Sequence, residues 1–243
     1  MPIELNYPAR AASGAPQPLP EEAIWLVALR LRRAMLGDRN DLALQADTII
    51  DTASRLVING RDVTTTWEFR HAVHDGCGRP VLGACETDPD APGIAMVSVN
   101  PNMVAHRPDL TLSTMAHELG HVVFDVPMVL GAAGRHFRSY TVSPGALLLS
   151  SNASERRANE FMGALLVPPV TLHTRLLALA RAERARLVRA PHWGRPASPV
   201  LAGDNPPDMI AGIVAVAASE FGVSDRFIAV RMQRYRLLQE ARS

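Results

Sequence analysis

The chain has no lysine: all 25 of its basic residues are arginine, set against 24 acidic residues, so its formal net charge is only +1. A balance this even supplies no global attraction to nucleic acid or to an anionic membrane. Alanine is abundant as well, so the arginine excess reads as codon-composition bias and arginine clusters carry less weight than usual. Cysteine is nearly absent, with Cys77 and Cys85 alone among 243 residues; that is too few for a disulfide framework, and two reduced thiols are expected. The longest uncharged apolar run, Met209 to Ser219, is too short to span a bilayer. The opening residues, MPIELNYPARAASGAPQPLPEE, lack a basic region followed by an apolar one and so do not read as a secretory signal. The expectation is a cytoplasmic protein with no membrane partner. With 47% hydrophobic and 20% charged residues, it has the composition of a globular chain with one sizeable core, or a main domain with a small appendage.

What is present is concentrated in one stretch. His117-Glu118-Leu119-Gly120-His121 is an H-E-x-x-H pattern on a segment that reads as helix from Leu110 to Asp125, with Ser113 or Thr114 capping its start and Pro127 limiting its continuation. Two histidines four apart on a helix differ by about 40° around its axis, so both imidazoles can reach one tetrahedral metal ion, for which zinc is the expected metal. Glu118, one residue beyond the first histidine, is placed to act as general base rather than as a ligand. Met115, Leu119, Val122 and Val123 form a separate apolar side, so one face packs and the other binds.

A catalytic zinc site commonly has three protein ligands and one open position, and the segment Ser154 to Val167 offers the third. In helical projection Glu155, Asn159, Met162 and Leu166 share a side, with Ala158, Phe161 and Leu165 beside them. Glu155 is the preferred ligand, and Asn159, one turn on, is placed to hydrogen-bond the far nitrogen of a ligand histidine. Two alternatives stay open: Asn152-x-x-Glu155 is close to a capping box that would occupy the carboxylate, and Glu160 is a second candidate ligand, although it projects beside Arg157 on the expected solvent side. His71 and His74 lack metal-like helical spacing.

In chain order, residues 1 to 20 read as a proline-rich flexible tail. A helix opens at Pro20-Glu21-Glu22 and ends at Gly37, and a second is expected from Asp41 to Val57, stopped by Asn59-Gly60. From Thr64 to Asn100 the period shifts toward two, predicting a small antiparallel sheet. Its last strand, Gly93 to Val99, either lines a cleft as an edge that pairs with an extended substrate or is wholly internal. Pro127 to Ser151 reads as a long loop from which His136 or Tyr140 could stabilise a developing oxyanion. A further helix is expected over Val170 to Ala190 and a loop over 191 to 208. The domain plan is thus a main domain at 21–190 that carries the H-E-x-x-H pattern, that loop, and a C-terminal helical pair at 209–243. There, Ala218-Ser-Glu-Phe-Gly222-Val223-Ser224 and the arginine-bearing helix after it look like a helix-turn-helix, with Arg226, Arg231 and Arg234 as possible DNA contacts and Arg236 beyond them.

His117-Glu-Leu-Gly-His121, then Glu155-Arg-Arg-Ala158-Asn159-Glu-Phe161, then Ala164-Leu-Leu-Val-Pro168, together resemble the ImmA/IrrE family of zinc metallopeptidases. The match covers roughly Gly93 to Pro168, and more loosely Met209 to Leu238; residues 1 to 90 match nothing in it. The resemblance implies an α+β, zincin-like fold with a small antiparallel sheet packed on an H-E-x-x-H helix bundle. It implies zinc on His117, His121 and Glu155, and Glu118 as base. It also implies a protein substrate, a helix-turn-helix transcriptional repressor, in a regulatory or stress response. The competing expectation is a non-proteolytic regulator that binds DNA or a partner protein through its C-terminal helices.

Overall fold

A computed structural model describes all residues except 1, 12, 89, 92, 131–135, 143–151, 193, 194 and 240–243, with the backbone but not the side chains of 192, 195 and 196. The chain divides into two compact units, Met1–Leu165 and Leu166–Ser243. The boundary therefore falls at the end of the Glu155 helix, not at residue 190. The fold is mixed α+β. In order, the first unit contains β1 (Ile3–Leu5), α1 (Glu21–Leu36), α2 (Ala46–Thr52), β2 (Arg55–Ile58), β3 (Arg61–Glu68), β4 (Gly83–Thr87), β5 (Ile94–Val99), α3 (Pro101–Val104), α4 (Pro108–Phe124), α5 (Val126–Val129), β6 (Arg138–Thr141) and α6 (Ala153–Leu166).

Its sheet has six strands in the order β1-β2-β3-β5-β4-β6. It is not the purely antiparallel sheet that the alternation predicts: β1 runs parallel to β2, and β3 parallel to β5. β5 is apolar at five of its six positions, Ile-Ala-Met-Val-Ser-Val, which suits a strand inserted centrally between β3 and β4. It is thus internal, and the open edge beside α4 belongs to β6. Ala95, Val97 and Val99 on β5 and Gly83 and Cys85 on β4 lie on the face toward α4, which crosses this side of the sheet.

Three local expectations change for identifiable reasons. Residues 1–20 are not a bare tail: Ile3, Leu5 and Tyr7 alternate with polar neighbours, Leu5 is fully buried, and Tyr7 Oη donates to Val123 O at 2.8 Å. The prolines around them mask this period of two. The helix expected over 41–57 covers only Ala46–Thr52, because Asn59 and Gly60 do not stop a helix. Both have positive φ, 48° and 76°, and form the two-residue turn that joins β2 to β3 as a hairpin. α4 starts earlier than expected, with Pro108 in its first turn rather than Ser113 or Thr114 as its cap.

α6 runs through the interior. Ala158, Phe161, Met162, Leu165 and Leu166 are buried, and so is Glu160, whose Oε2 accepts from Trp25 Nε1 at 3.0 Å. Glu160 is therefore on the α1 side, not in solvent, and is engaged away from the histidines. Arg32, also buried, donates to Leu165 O at 2.8 Å and to the carbonyls of Asp41 and Leu42, satisfying a carbonyl that the end of a helix leaves open.

The second unit contains α7 (Pro169–Ala182), β7 (Leu187–His192), β8 (Arg195–Ala202), α8 (Pro207–Phe221), α9 (Asp225–Arg234) and β9 (Leu238–Gln239). The helix expected to reach Ala190 stops at Ala182, and the expected loop at 191–208 is largely strand. β7, β8 and β9 form a three-stranded sheet. Prolines argue against strand at 195–202, but β9 pairs only with Leu201 and Ala202. At Pro199, then, one side of β8 has no strand partner among the described residues, a place where a missing N–H is tolerated. α8 and α9 meet through Gly222 in the left-handed region at φ 68°, Val223, and Ser224, whose side chain caps α9 by accepting from Phe227 N.

Leu5→Ala should lower the unfolding free energy by about 2–4 kcal/mol, the usual cost of truncating a fully buried leucine, read from urea denaturation. A loss below about 0.5 kcal/mol, as at an exposed site, would mean that the first strand is not docked.

Candidate metal centre

α4 and α6 meet at two small residues. A Cβ placed on Gly120 would lie 2.8 Å from the Ala158 Cα and 3.2 Å from its Cβ, so the two helices touch almost backbone to backbone. Gly120 lies between His117 and His121, and Ala158 lies between Glu155 and Asn159, so this contact brings the four polar side chains together. Glu155 Oε2 is 3.3 Å from His117 Nε2, Glu155 Oε1 is 3.3 Å from His121 Nε2, and the two Nε2 atoms are 3.2 Å apart. The three side chains present donor atoms all within 4.8 Å of one another, an arrangement that could hold a metal ion. Both histidines are fully buried, while the Glu155 side chain keeps 21% exposure.

The outer nitrogens of the histidines are also engaged. His117 Nδ1 is 3.1 Å from Asn159 Oδ1, and His121 Nδ1 is 2.8 Å from Asp125 Oδ2. Asp125, 2% exposed, also accepts from Ser154 Oγ and from Arg157 Nη2, each at 2.6 Å. Sequence reading missed Asp125, although its position four residues after His121 on the same helix is the available signal. The capping alternative for Glu155 is not adopted: Asn152 Oδ1 accepts from Ser154 N at 3.0 Å, and the Glu155 carboxylate turns to the histidines.

Glu118 is fully buried. Its Oε1 accepts from Thr141 Oγ1, and Ser139 Oγ lies 3.5 Å from its Oε2. Both hydroxyls come from β6, the edge strand, whose residues 139 and 141 face α4 together with 137 just before it. Phe137, in that series, packs on His121 with ring centroids 5.6 Å apart. Burial pushes the Glu118 carboxyl above its usual range, against the neighbouring histidines. Gly83 permits the approach, since a Cβ there would lie 2.6 Å from Thr114 Cγ2 and 3.1 Å from Glu118 Oε1.

The same alternation removes both oxyanion candidates. Tyr140 pairs with Ala84 on the opposite face of the sheet, where the Arg138 guanidinium lies 5.8 Å from its ring centroid. His136 is exposed and lines a cleft of about 550 Å³ on that outer face with Thr66, Glu86, Met96 and Arg138. Residues 143–151 of the expected loop lie outside the described residues. Of the arginines assigned to DNA, Arg226 and Arg234 are exposed, but Arg231 is 2% exposed, its guanidinium between the rings of Phe227 and Tyr235; packing on the aromatic rings takes it out of reach of a partner. Cys77 is exposed, Cys85 is buried, and both are free thiols.

No protein-family model matches this chain, and no curated protein matches it. No single helix among the described residues is long and apolar enough to cross a membrane.

Gly120→Ala is expected to lower stability by about 1–3 kcal/mol through overpacking. Because relief requires α6 to move outward with Glu155, it should also lower metal uptake at least several-fold, measured by chelator competition. In the metal-free chain burial alone would lower the His121 pKa, but hydrogen bonds to Asp125 and Glu155 outweigh it and raise it to about 10. A histidine with a folded pKa above its unfolded value of about 6.5 contributes stability below that value, and the contribution is lost as pH rises toward 10. For Glu155 and Asp125 burial again opposes the shift, but the histidines hold both carboxyls below their usual range, so their contribution is lost at acid pH. The urea midpoint of chelator-treated protein should therefore fall from about pH 6.5 to pH 9; a flat or rising midpoint would contradict this charge arrangement.

Proposed function

We propose that the chain is a zinc-dependent endopeptidase of zincin-like organisation that cleaves a protein partner, a helix-turn-helix transcriptional repressor, in a regulatory or stress response. The observation that carries this reading is the convergence of three donor side chains: the two Nε2 atoms stand 3.2 Å apart, and each lies 3.3 Å from one oxygen of the Glu155 carboxylate, Oε2 for His117 and Oε1 for His121. Donors about 2.0–2.1 Å from a zinc ion at tetrahedral angles stand roughly 3.3–3.4 Å apart. His117, His121 and Glu155 would hold the ion, whose contribution when bound is to polarise a water molecule and a peptide carbonyl.

The remaining steps belong to the protein. Glu118 takes the proton of the attacking water and returns it to the leaving amine. Its burial favours this duty by bringing its affinity for a proton closer to neutrality. Thr141 fixes one carboxylate oxygen by hydrogen bonding, which limits the positions the other oxygen can take. β6 has no strand partner on its outer side among the described residues, so an extended substrate has an edge to pair with beside Glu118. The repressor as substrate follows from the motif resemblance.

A second reading, regulation by binding alone, is favoured by one observation: the three-residue turn between α8 and α9 with exposed Arg226 and Arg234. Burial of Arg231 and the near-neutral chain weigh against it.

Elemental analysis is expected to find about one zinc per chain in wild type and in Glu118→Gln, and far less in Glu155→Ala. Glu118→Gln should cut none of the repressors that wild type cuts; retained cleavage would remove the mechanism. Salt-dependent binding to duplex DNA without cleavage would favour the second reading.

A further inference from the structure

The two ligand histidines are supported unequally. His117 faces a neutral amide through its Nδ1, whereas His121 faces a carboxylate that is itself fastened to α6. We infer that Asp125, clamped by Ser154 and Arg157, is the positioning residue that sets the strength and geometry of metal binding through His121. The inference rests on the zinc reading above.

Three observations lead to it. The Asp125 carboxylate reaches His121 Nδ1 at 2.8 Å from the end of the same helix, so the ring turns its Nε2 toward His117 and Glu155. An anionic acceptor on the outer nitrogen pulls the N–H proton toward itself and makes the inner nitrogen a better electron donor than an amide acceptor does. Second, Asp125 has no rotational freedom: Oδ1 is taken by Arg157 and Oδ2 by Ser154 and His121, and the residue is 2% exposed. Ser154 and Arg157 flank Glu155 on α6, so one helix delivers both a ligand and the clamp on the opposite ligand's partner.

Third, the charges fit a divalent ion. With carboxylates ionised and imidazoles neutral, buried Glu118 and Asp125 and half-buried Glu155, against half-buried Arg157, leave two negative charges around the histidines. Without Asp125 the cluster would hold one, and a divalent ion would enter with an uncompensated charge, which burial makes costly.

The test is zinc affinity by competition with a chromogenic chelator at neutral pH, on the full chain, for wild type, Asp125→Ala, Asp125→Asn and Asn159→Ala. Cobalt-loaded samples report ligand geometry through their visible spectrum. The expected result is a loss of about 10- to 100-fold for Asp125→Ala, the usual range for removing an outer-shell partner. A smaller loss is expected for Asp125→Asn, which keeps an acceptor without the charge, and a smaller one again for Asn159→Ala, with the cobalt spectrum shifted in the Asp125 variants. If Asp125→Ala does not fold, Asp125→Asn carries the test. Affinities within twofold of wild type for the Asp125 variants would overturn the inference. So would weaker binding with an unchanged cobalt spectrum and a matching loss of metal-free thermal stability, because that marks a purely structural role. Failure of wild type itself to bind zinc would remove the zinc reading and this inference together, and is distinguishable because it appears before any variant is compared.

Discussion

The contact between Gly120 and Ala158 is the constraint on which the rest of the site depends. His117, Glu118, His121, Glu155 and Asn159 all lie within one turn of it on one helix or the other. Any side chain larger than hydrogen at 120 would separate the two helices by the thickness of a methyl group, and the donor spacing leaves no slack for that. The apolar packing around the contact serves the same end. Phe124 and Phe161 meet edge to face at 5.8 Å, and Tyr7 lies against Phe124 at 4.9 Å, so the N-terminal segment braces the back of α4. On the other side the sheet presses β4 and β6 onto Glu118 through a glycine and two hydroxyl residues.

This division of labour explains what was legible in the sequence. His117, Glu118 and His121 lie on one helix, where spacing alone fixes relative direction. Glu155 and Asn159 lie on a second, and helical projection again places them side by side. Asp125 was readable by the same four-residue rule. Thr141 and Ser139 were not, because they act from a four-residue strand inside a Gly- and Pro-rich stretch, and only the register with β4 shows which of its side chains face the helix. That register also separates Thr141 from Tyr140, adjacent in sequence and on opposite faces of the sheet.

Strand order was the least accessible feature. Local alternation identifies strands but says nothing of which pair, and β5 inserts between β3 and β4 because a strand apolar on both faces is best placed in the middle. Asn59-Gly60 illustrates the ambiguity of a short signal: the same dipeptide ends helices and makes hairpins, and the β-branched residues before it decide for the hairpin. At the N-terminus the prolines outweighed a three-residue alternation that is decisive once β2 is present to receive it.

The sequence distance between the two halves of the site bears on how the chain folds. The histidines and Glu155 are 34 residues apart in sequence, counting from His121, so bringing them together closes a long loop that contains β6, at an entropy cost that the docked helices must offset. The His121–Asp125 pair is local to one helix end, whereas Glu155 reaches the imidazoles only where α6 packs on α4. The two helices thus share one buried set of charges, and separating them would expose the imidazoles of α4 and the carboxylate of α6 to water at the same time.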